Sequence, residues 1–270
     1  MLGRLGCRPG GPVRHVIGEH DEVVENREAL YASVGFCHGH SVHSLRSIVF
    51  GLDVSPPPPM QIGDPSSDGF EGYEVDLMHH IADALDAALV YRVAVWSALL
   101  DELKGGEIDA VCTAATVTAE RAAEFDFGRP YQETQLVVVA RPGSGIAGVE
   151  DLDGRTLMLR AATVAAHWVE EHARPASVRL TEFNDEMYLA VADGSVDAAV
   201  DDSPIARWFA KEHGLQIAGP VPDSRAQFAL MFRKGNPLRQ TIDAILAEAE
   251  ANGRGGAMRM KWFGSDALLT

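Results

Sequence analysis

The stretch Gly194-Ser195-Val196-Asp197-Ala198-Ala199-Val200 repeats an order that the chain has already used at Gly106-Glu107-Ile108-Asp109-Ala110-Val111. In both stretches a helical pattern ends at a glycine, a short acidic turn follows, and an apolar run typical of a buried strand begins. Strands that alternate with helices in this way indicate parallel sheets built from βαβ crossovers. The duplication therefore predicts two similar α/β lobes.

The same alternation extends on both sides of these two stretches. Around the first, hydrophobic periodicity predicts strands at 48–53, 89–95 and 108–112, with helices at 75–85 and 97–104. Around the second, it predicts strands at 135–140, 156–159, 178–180 and 196–200, with helices at 164–172 and 185–192. A strand at 227–237 with a polar exit and an amphipathic helix to about 251 follow. Residues 1–45 lack this periodicity and are predicted to form a loosely packed extension.

Composition limits the functions that are open to the chain. Its contents of 46% hydrophobic and 23% charged residues are ordinary globular values. The net charge of −16 disfavours nucleic acid and anionic lipid as partners, because their phosphate groups would be repelled. The sequence has no run near the roughly 18 apolar residues of a membrane span, and its first 14 residues lack the apolar segment of a signal peptide.

The cysteines and the short motifs predict neither a disulfide framework nor a cofactor. Cys112 lies in an apolar run and is predicted to be a buried thiol, while Cys7 and Cys37 lie in the extension, where a bridge between them stays open. Nucleotide-binding loops, the nucleophile elbow of hydrolases and zinc-protease motifs are absent from the sequence. We therefore predict no cofactor and no metal site.

A polar loop follows the apolar run at 108–112. Thr118 can cap the start of a helix, and Arg121 stands three residues later, in its first turn. Free backbone N–H groups at a helix start, together with a guanidinium, form a site for a small carboxylate. The alternative is a solvated arginine on an ordinary helical turn.

The sequence around this loop resembles the amino-acid-type solute-binding proteins of ABC importers. The resemblance runs from about Ile48 to Gly264 and depends on the order of several degenerate motifs. These motifs are Gly72-Tyr73-Glu74-Val75-Asp76-Leu77, residues 106–110, the Arg121 loop with residues 126–131, and residues 150–154, 194–198, 233–237 and 261–264. The resemblance implies the type II periplasmic-binding-protein fold, with two α/β lobes, each a mainly parallel sheet flanked by helices, joined by two crossing hinge strands. It places the first lobe at 46–134 plus 229–270 and the second at 135–228.

The resemblance also assigns ligand binding to six residues, which are Arg121, Thr116, Asp202, Trp96, Thr163 and Ala114. Arg121 would grip the α-carboxylate of the ligand with help from Thr116, and Asp202 would take the α-ammonium group. Trp96 would line the cleft. From the residues alone, Asp202 could instead only cap its helix, and Trp96 could belong to the core.

Two departures from the family pattern bear on the ligand. The family usually has an aromatic residue after its first strand, where this chain has Pro56 to Pro59. On the second lobe the Gly-Thr/Ser-Thr turn of the family is replaced by Ala161-Ala162-Thr163. Thr163 keeps an N–H group and a hydroxyl, whereas Ala162 lacks a side-chain donor.

The function implied by the resemblance is the binding of a small amino acid or related carboxylate without turnover. A monomeric protein in the periplasm or at the cell surface would close on the ligand and present it to ABC permease subunits. Two alternatives stay open. One is an enzyme similar to cyclohexadienyl dehydratases, which would need acids such as Glu182, Asp185 or Asp201 near the cleft. The other is a ligand-sensing module.

Overall fold

The computed structural model describes residues 46–264. For Arg46 it describes the backbone alone. The predicted extension at 1–45, with Cys7 and Cys37, lies outside the described residues. The chain begins with β1 (Arg46–Asp53), α1 (Tyr73–Ala84), β2 (Ala87–Ala94), α2 (Trp96–Gly105), β3 (Ala110–Val111), α3 (Ala119–Glu124), β4 (Phe125–Phe127) and β5 (Gln132–Thr134). It continues with β6 (Leu136–Ala140), β7 (Thr156–Arg160), α4 (Val164–His172), β8 (Ser177–Thr181), α5 (Asn184–Asp193), β9 (Ala198–Asp202), α6 (Ser203–His213), β10 (Gln216–Pro220), β11 (Ala226–Phe228), β12 (Met231–Arg233), α7 (Leu238–Ala251) and α8 (Arg254–Phe263).

These elements form two five-stranded sheets, each flanked by helices. The first sheet has the strand order β2-β1-β3-β12-β4, and the second has the order β10-β6-β9-β7-β8. Helices α1, α2 and α3 pack against the first sheet, α7 and α8 pack against α1, and α4, α5 and α6 pack against the second sheet. We call these two units the first and the second lobe. The residue boundaries proposed for them, at 134/135 and 228/229, stay a prediction.

Each sheet is mixed, where a mainly parallel sheet was predicted. The parallel pairings are those of β1 with β2 and β3, and those of β7 with β8 and β9. The antiparallel pairings all involve β12 in the first sheet or β6 in the second. Both strands follow directly after a strand that connects the lobes, so the chain enters each sheet from the opposite end to its βαβ strands.

The lobes are joined by a separate two-stranded antiparallel ribbon of β5 and β11. In this ribbon Thr134 faces Ala226 and Gln132 faces Phe228. The chain passes through the ribbon twice, from β4 to β6 and from β10 to β12, as the resemblance implied. The strand predicted at 227–237 therefore divides into β11 and β12. Residues 228–232 are all fully buried, so the hydrophobic pattern shows no break where the two strands separate.

The repeated stretch has the same hydrogen bonding in both lobes. The glycine that follows α2 has a φ of +79°, and the one that follows α5 has a φ of +86°. In the first lobe Asp109 Oδ2 accepts a hydrogen bond of 2.8 Å from Val49 N–H. In the second lobe Asp197 Oδ2 accepts one of 2.8 Å from Thr156 N–H. Each aspartate thus ties the turn to the neighbouring parallel strand, and the duplication is structural.

Apolar side chains cover both faces of each sheet. Strand β6 is buried from Leu136 to Ala140, as expected for a central strand with helices on both sides. Cys112 is fully buried, which agrees with the predicted thiol. Among the helices of residues 46–264, none has the length and apolar character needed to cross a bilayer.

Candidate functional site

A cavity of about 60 Å³ lies between the two lobes, where the carboxyl ends of strands from both sheets meet. The six residues singled out from the sequence all line it. Among the residues that line it are Asp53, Pro57, Trp96, Thr113, Ala114, Thr116 and Arg121 from the first lobe, and Arg160, Ala161, Ala162, Thr163, Asn184, Asp201 and Asp202 from the second. A larger groove of about 470 Å³ lies beside the ribbon but contains none of the six. The smaller cavity is therefore the candidate site.

Arg121 reaches the cavity from the first turn of α3. Thr118 caps this helix, as predicted, because its Oγ1 accepts a hydrogen bond of 3.1 Å from Arg121 N–H. The guanidinium donates from Nη1 to the carbonyl oxygen of Thr116 at 3.1 Å and from Nη2 to that of Ala162 at 3.5 Å. It also stands over the ring of Trp96, 4.8 Å from the ring centre. Arg121 is thus not a freely solvated side chain, and its remaining donors suit a carboxylate.

Asp202 faces the same cavity from the end of β9, on the second lobe. It is the N-cap residue of α6, but its side chain makes no capping hydrogen bond. Instead, Thr134 Oγ1 donates a hydrogen bond of 2.7 Å to Asp202 Oδ1. The alternative that Asp202 only caps its helix is therefore not supported.

A second carboxylate stands next to Asp202. Asp201 Oδ1 accepts a hydrogen bond of 2.8 Å from Asp202 N–H, and Asp201 Oδ2 accepts one of 2.7 Å from Tyr188 Oη–H. Burial, and then the charge of Asp201, raise the pKa of Asp202 to about 7, although the hydrogen bond from Thr134 and the charge of Arg121 lower it. Burial also raises the pKa of Asp201. A cation in the cavity would compensate this acidic pair, which makes the site complementary to an ammonium group.

Thr163 lines the cavity, and its hydroxyl caps the helix that follows. Its Oγ1 accepts a hydrogen bond of 3.2 Å from Ala166 N–H and donates one of 2.8 Å to the carbonyl oxygen of Arg160. The hydroxyl thus caps α4 and is already engaged. The first N–H groups of α4 lack intrahelical partners, and they are the donors that this turn can offer to a ligand.

Two alanines at the cavity have left-handed backbone conformations, with φ of +50° at Ala114 and +56° at Ala162. Such conformations are unfavourable for residues other than glycine and often mark functional sites. Ala114 N–H is held by Glu74 Oε1 at 2.7 Å. Glu74 is fully buried and also accepts hydrogen bonds from Gln61 Nε2, at 2.7 Å, and from Tyr131 Oη–H. This buried network fixes the loop that precedes Thr116.

Sequence reasoning missed an ion pair and an amide at this cavity. Arg160 Nη2 donates to both oxygens of Asp53, at 3.1 and 3.2 Å, from the second lobe to the first. Asn184 also joins the lobes, because its backbone N–H donates to Ser55 Oγ at 3.0 Å. The sequence signal for this ion pair was the position of its two residues. Asp53 and Arg160 each end a strand of a parallel pair, where ligand sites of α/β proteins lie.

The proline after the first strand lines the cavity, whereas two of the three acids expected for a dehydratase do not. Pro57 lines the cavity in the place where the family usually has an aromatic residue, so Trp96 is the aromatic side chain among the lining residues. Glu182 and Asp185 are exposed and do not line the cavity, whereas Asp201 does. Of the three acids considered for a dehydratase, two are therefore outside the site.

Two α/β lobes, a connecting ribbon, and opposite charges on the two sides of the cavity between them define a two-lobed ligand-binding protein. The chain belongs to the bacterial extracellular solute-binding proteins, family 3, whose sequence profile matches residues 48–265. The predicted family and the type II periplasmic-binding fold class are thereby confirmed.

Named relatives and a solved structure agree with this membership. The chain is 30% identical to PatH of Vibrio harveyi over 74% of this chain and 82% of PatH. It is 26% identical to the L-cystine-binding protein TcyJ of Escherichia coli strain K12 over 84% of this chain and 86% of TcyJ. The structure of an ancestral arginine-binding protein bound to glutamine superposes with a TM-score of 0.74 at 26% identity, covering 83% of this chain and all of that one.

Proposed function

We propose that this protein binds an α-amino acid in the interlobe cavity as the substrate-binding component of an ABC importer. The observation that carries the proposal is the pair of opposite charges on opposite lobes, Arg121 on the first and Asp202 on the second. An α-amino acid carries a carboxylate and an ammonium group on one carbon atom. Both charges need partners when water is excluded, because an unpaired buried charge is strongly unfavourable.

The relatives support this choice of ligand class. TcyJ is named for the binding of L-cystine, and the ancestral protein is described as an arginine-binding protein bound to glutamine. These ligands share the α-amino acid group and differ in the side chain. The proposal for this chain therefore concerns the shared group first.

Closure of the lobes around the ligand is the mechanism that we propose. In the structure the lobes contact each other on several sides of the cavity, through Arg160 with Asp53, Asn184 with Ser55, and Arg121 with Ala162. The ribbon of β5 and β11 is the only covalent connection between the two sheets in the described residues, and it is the natural hinge. A ligand that pairs with Arg121 and Asp202 favours the closed form over the open one.

The cellular role follows from the family. Solute-binding proteins of this family act outside the cytoplasm, so we propose that the protein works in the periplasm or at the cell surface. As a monomer it would present the closed, loaded form to ABC permease subunits. Binding without turnover fits the site, because the acids considered for a dehydratase are exposed or, in the case of Asp201, already hydrogen-bonded to Tyr188 and to Asp202.

The test is calorimetric titration of the common L-amino acids, each compared with an analogue that lacks the amine and one that lacks the carboxylate. We expect at least one amino acid to bind, and both analogues of it to bind at least tenfold more weakly. Prephenate should be recovered unchanged after incubation with the protein. Absence of binding for every amino acid at millimolar concentration would refute the proposal.

A further inference from the structure

We propose that Arg160 and Asn184 select the side chain of the ligand, and that this side chain is short and ends in a hydrogen-bond acceptor such as a hydroxyl, an amide carbonyl or a carboxylate. The inference rests on the proposed function, because it concerns the part of an amino acid that Arg121 and Asp202 do not contact. It goes further in naming which amino acids fit and which are rejected.

The carboxylate of Asp53 is already occupied. Arg160 Nη2 contacts both of its oxygens, and Ser55 N–H donates to Asp53 Oδ1 at 2.8 Å. The pair is well shielded, since the exposed fractions of the Arg160 and Asp53 side chains are 13% and 5%. A ligand with a cationic side chain would have to displace Arg160 or lie against its guanidinium. Like charges in a desolvated site repel strongly, so lysine and arginine should be disfavoured.

Arg160 and Asn184 also supply buried donors that no acceptor in the described part of the chain satisfies. Within the described residues, Arg160 Nε and Asn184 Nδ2 are buried and have no hydrogen-bond partner. Asn184 is only 2% exposed, and both residues line the cavity. A buried donor without a partner is unfavourable, and a site built around such donors discriminates against analogues that lack the matching acceptor.

The volume of the cavity limits the size of the ligand. The cavity volume is about 60 Å³. Since one water-sized probe needs roughly 10–15 Å³ of such volume, the cavity is small, and long side chains such as those of lysine and arginine would force the lobes apart. A short side chain with an acceptor after one or two carbon atoms needs the least additional space.

The first part of the experiment ranks ligands on the wild-type protein. L-Serine, L-asparagine, L-aspartate, L-alanine, L-lysine and L-arginine are titrated by calorimetry under one set of conditions. We expect the best of the three acceptor-bearing ligands to bind at least tenfold more tightly than alanine. Lysine and arginine should bind more weakly than alanine.

The second part inverts the specificity. Arg160→Met frees the carboxylate of Asp53, so the affinity for lysine should rise at least tenfold, and the advantage of the acceptor-bearing ligands over alanine should disappear. The double variant Arg160→Met/Asp53→Asn removes both charges together and should lose the gain for lysine. This double variant also avoids leaving Asp53 unpaired, so it keeps the test valid if the single variant is unstable.

A matched control is available in the first lobe. Arg92 and Glu102 form a comparably shielded ion pair, with an Nη2 to Oε1 distance of 2.7 Å, away from the residues that line the cavity. Arg92→Met should leave the ranking of ligands unchanged. Circular dichroism melting of each variant establishes that it is folded at the temperature of the titration.

The outcomes separate this inference from the function on which it rests. If amino acids bind but alanine, lysine or arginine binds as tightly as the acceptor-bearing ligands, the inference is wrong and the proposed function stands. An unchanged ranking in Arg160→Met would likewise overturn it, because the preference would then originate elsewhere. If no amino acid binds to the wild-type protein, both are refuted.

Discussion

Binding of an amino acid to this cavity should depend on pH through Asp202. Burial and the neighbouring Asp201 raise the pKa of Asp202 to about 7, so below neutral pH its carboxyl group is mostly protonated in the cavity. An ammonium group brought next to it favours the ionised form and lowers its pKa, so binding releases a proton. Affinity should therefore rise with pH up to about 7 and level off above it.

The size of this effect follows from the ionised fraction of Asp202. With a pKa of about 7 the carboxyl group of Asp202 is half ionised at pH 7 and roughly 1% ionised at pH 5. The dissociation constant should therefore increase about 50-fold as the pH falls from 7 to 5. The limiting slope is one decade per pH unit, as for a single linked proton. The α-amino and α-carboxyl groups of a free amino acid do not titrate between pH 5 and 7, and they add no slope of their own.

Calorimetry at pH 5, 6, 7 and 8 measures how the affinity depends on pH. The heat of binding, measured in buffers of different ionisation enthalpy, gives the number of protons released. Asp202→Asn cannot titrate, so in this variant the slope between pH 5 and 7 should be lost and the affinity at pH 8 should fall about tenfold or more. The analogue without the amine should show no gain in affinity with rising pH. A flat profile in the wild-type protein, or an equal slope in Asp202→Asn, would refute the assignment of Asp202 to the ammonium group.

Three further predictions concern the groups around Arg121. Arg121→Ala should weaken binding by roughly 30-fold to several thousand-fold in calorimetry. Arg121→Lys should recover only part of this affinity, because an ammonium cannot make the planar paired contact with a carboxylate. Wild-type affinity in both variants would mean that the ligand carboxylate binds elsewhere. Trp96→Ala removes the ring under the guanidinium and should weaken binding by about 3- to 30-fold, with a smaller loss in Trp96→Phe. Glu74→Ala leaves the donors of Gln61, Ala114 and Tyr131 without their acceptor and should lower the free energy of unfolding in urea by about 3–5 kcal/mol. Glu74→Gln keeps an acceptor and should lower the free energy of unfolding by less. Equal decreases in the two variants would contradict this account.

The parts of the fold with strong local signals could be predicted from the sequence. Helix α4 has the bounds read from its periodicity, 164–172, and the cap at Thr118 was visible from a threonine placed before a helical turn. The two-lobe architecture followed from the repeated turn. In both lobes the glycine of the turn has a positive φ and the aspartate accepts a hydrogen bond from the neighbouring parallel strand. These features depend on residues that are close in sequence.

The parts that failed depend on contacts between distant segments. The strand predicted at 227–237 divides into two because β11 pairs with β5, whereas β12 pairs with β3 and β4. Asp53 and Arg160 are 107 positions apart, and their contact needs both lobes in place. Thr163 Oγ1 caps α4, as a threonine directly before a helix commonly does. The contact of Thr163 with a ligand, which the family resemblance implies, stays a prediction.

The division of charge between the lobes explains why binding and closure should be coupled. An amino acid that rests on the first lobe can pair its carboxylate with Arg121, while its ammonium group stays in water. Closure removes that water, and the ammonium group then needs Asp202, which only the second lobe supplies. The contact of Arg160 with Asp53 joins the two lobes when they are together, so it favours the closed form and lowers the free energy that the ligand must contribute to closure. A ligand without one of the two charges would leave Arg121 or Asp202 desolvated and unpaired, and that penalty opposes closure. The closed form therefore selects for the complete amino acid group before any side chain is read by Arg160 and Asn184.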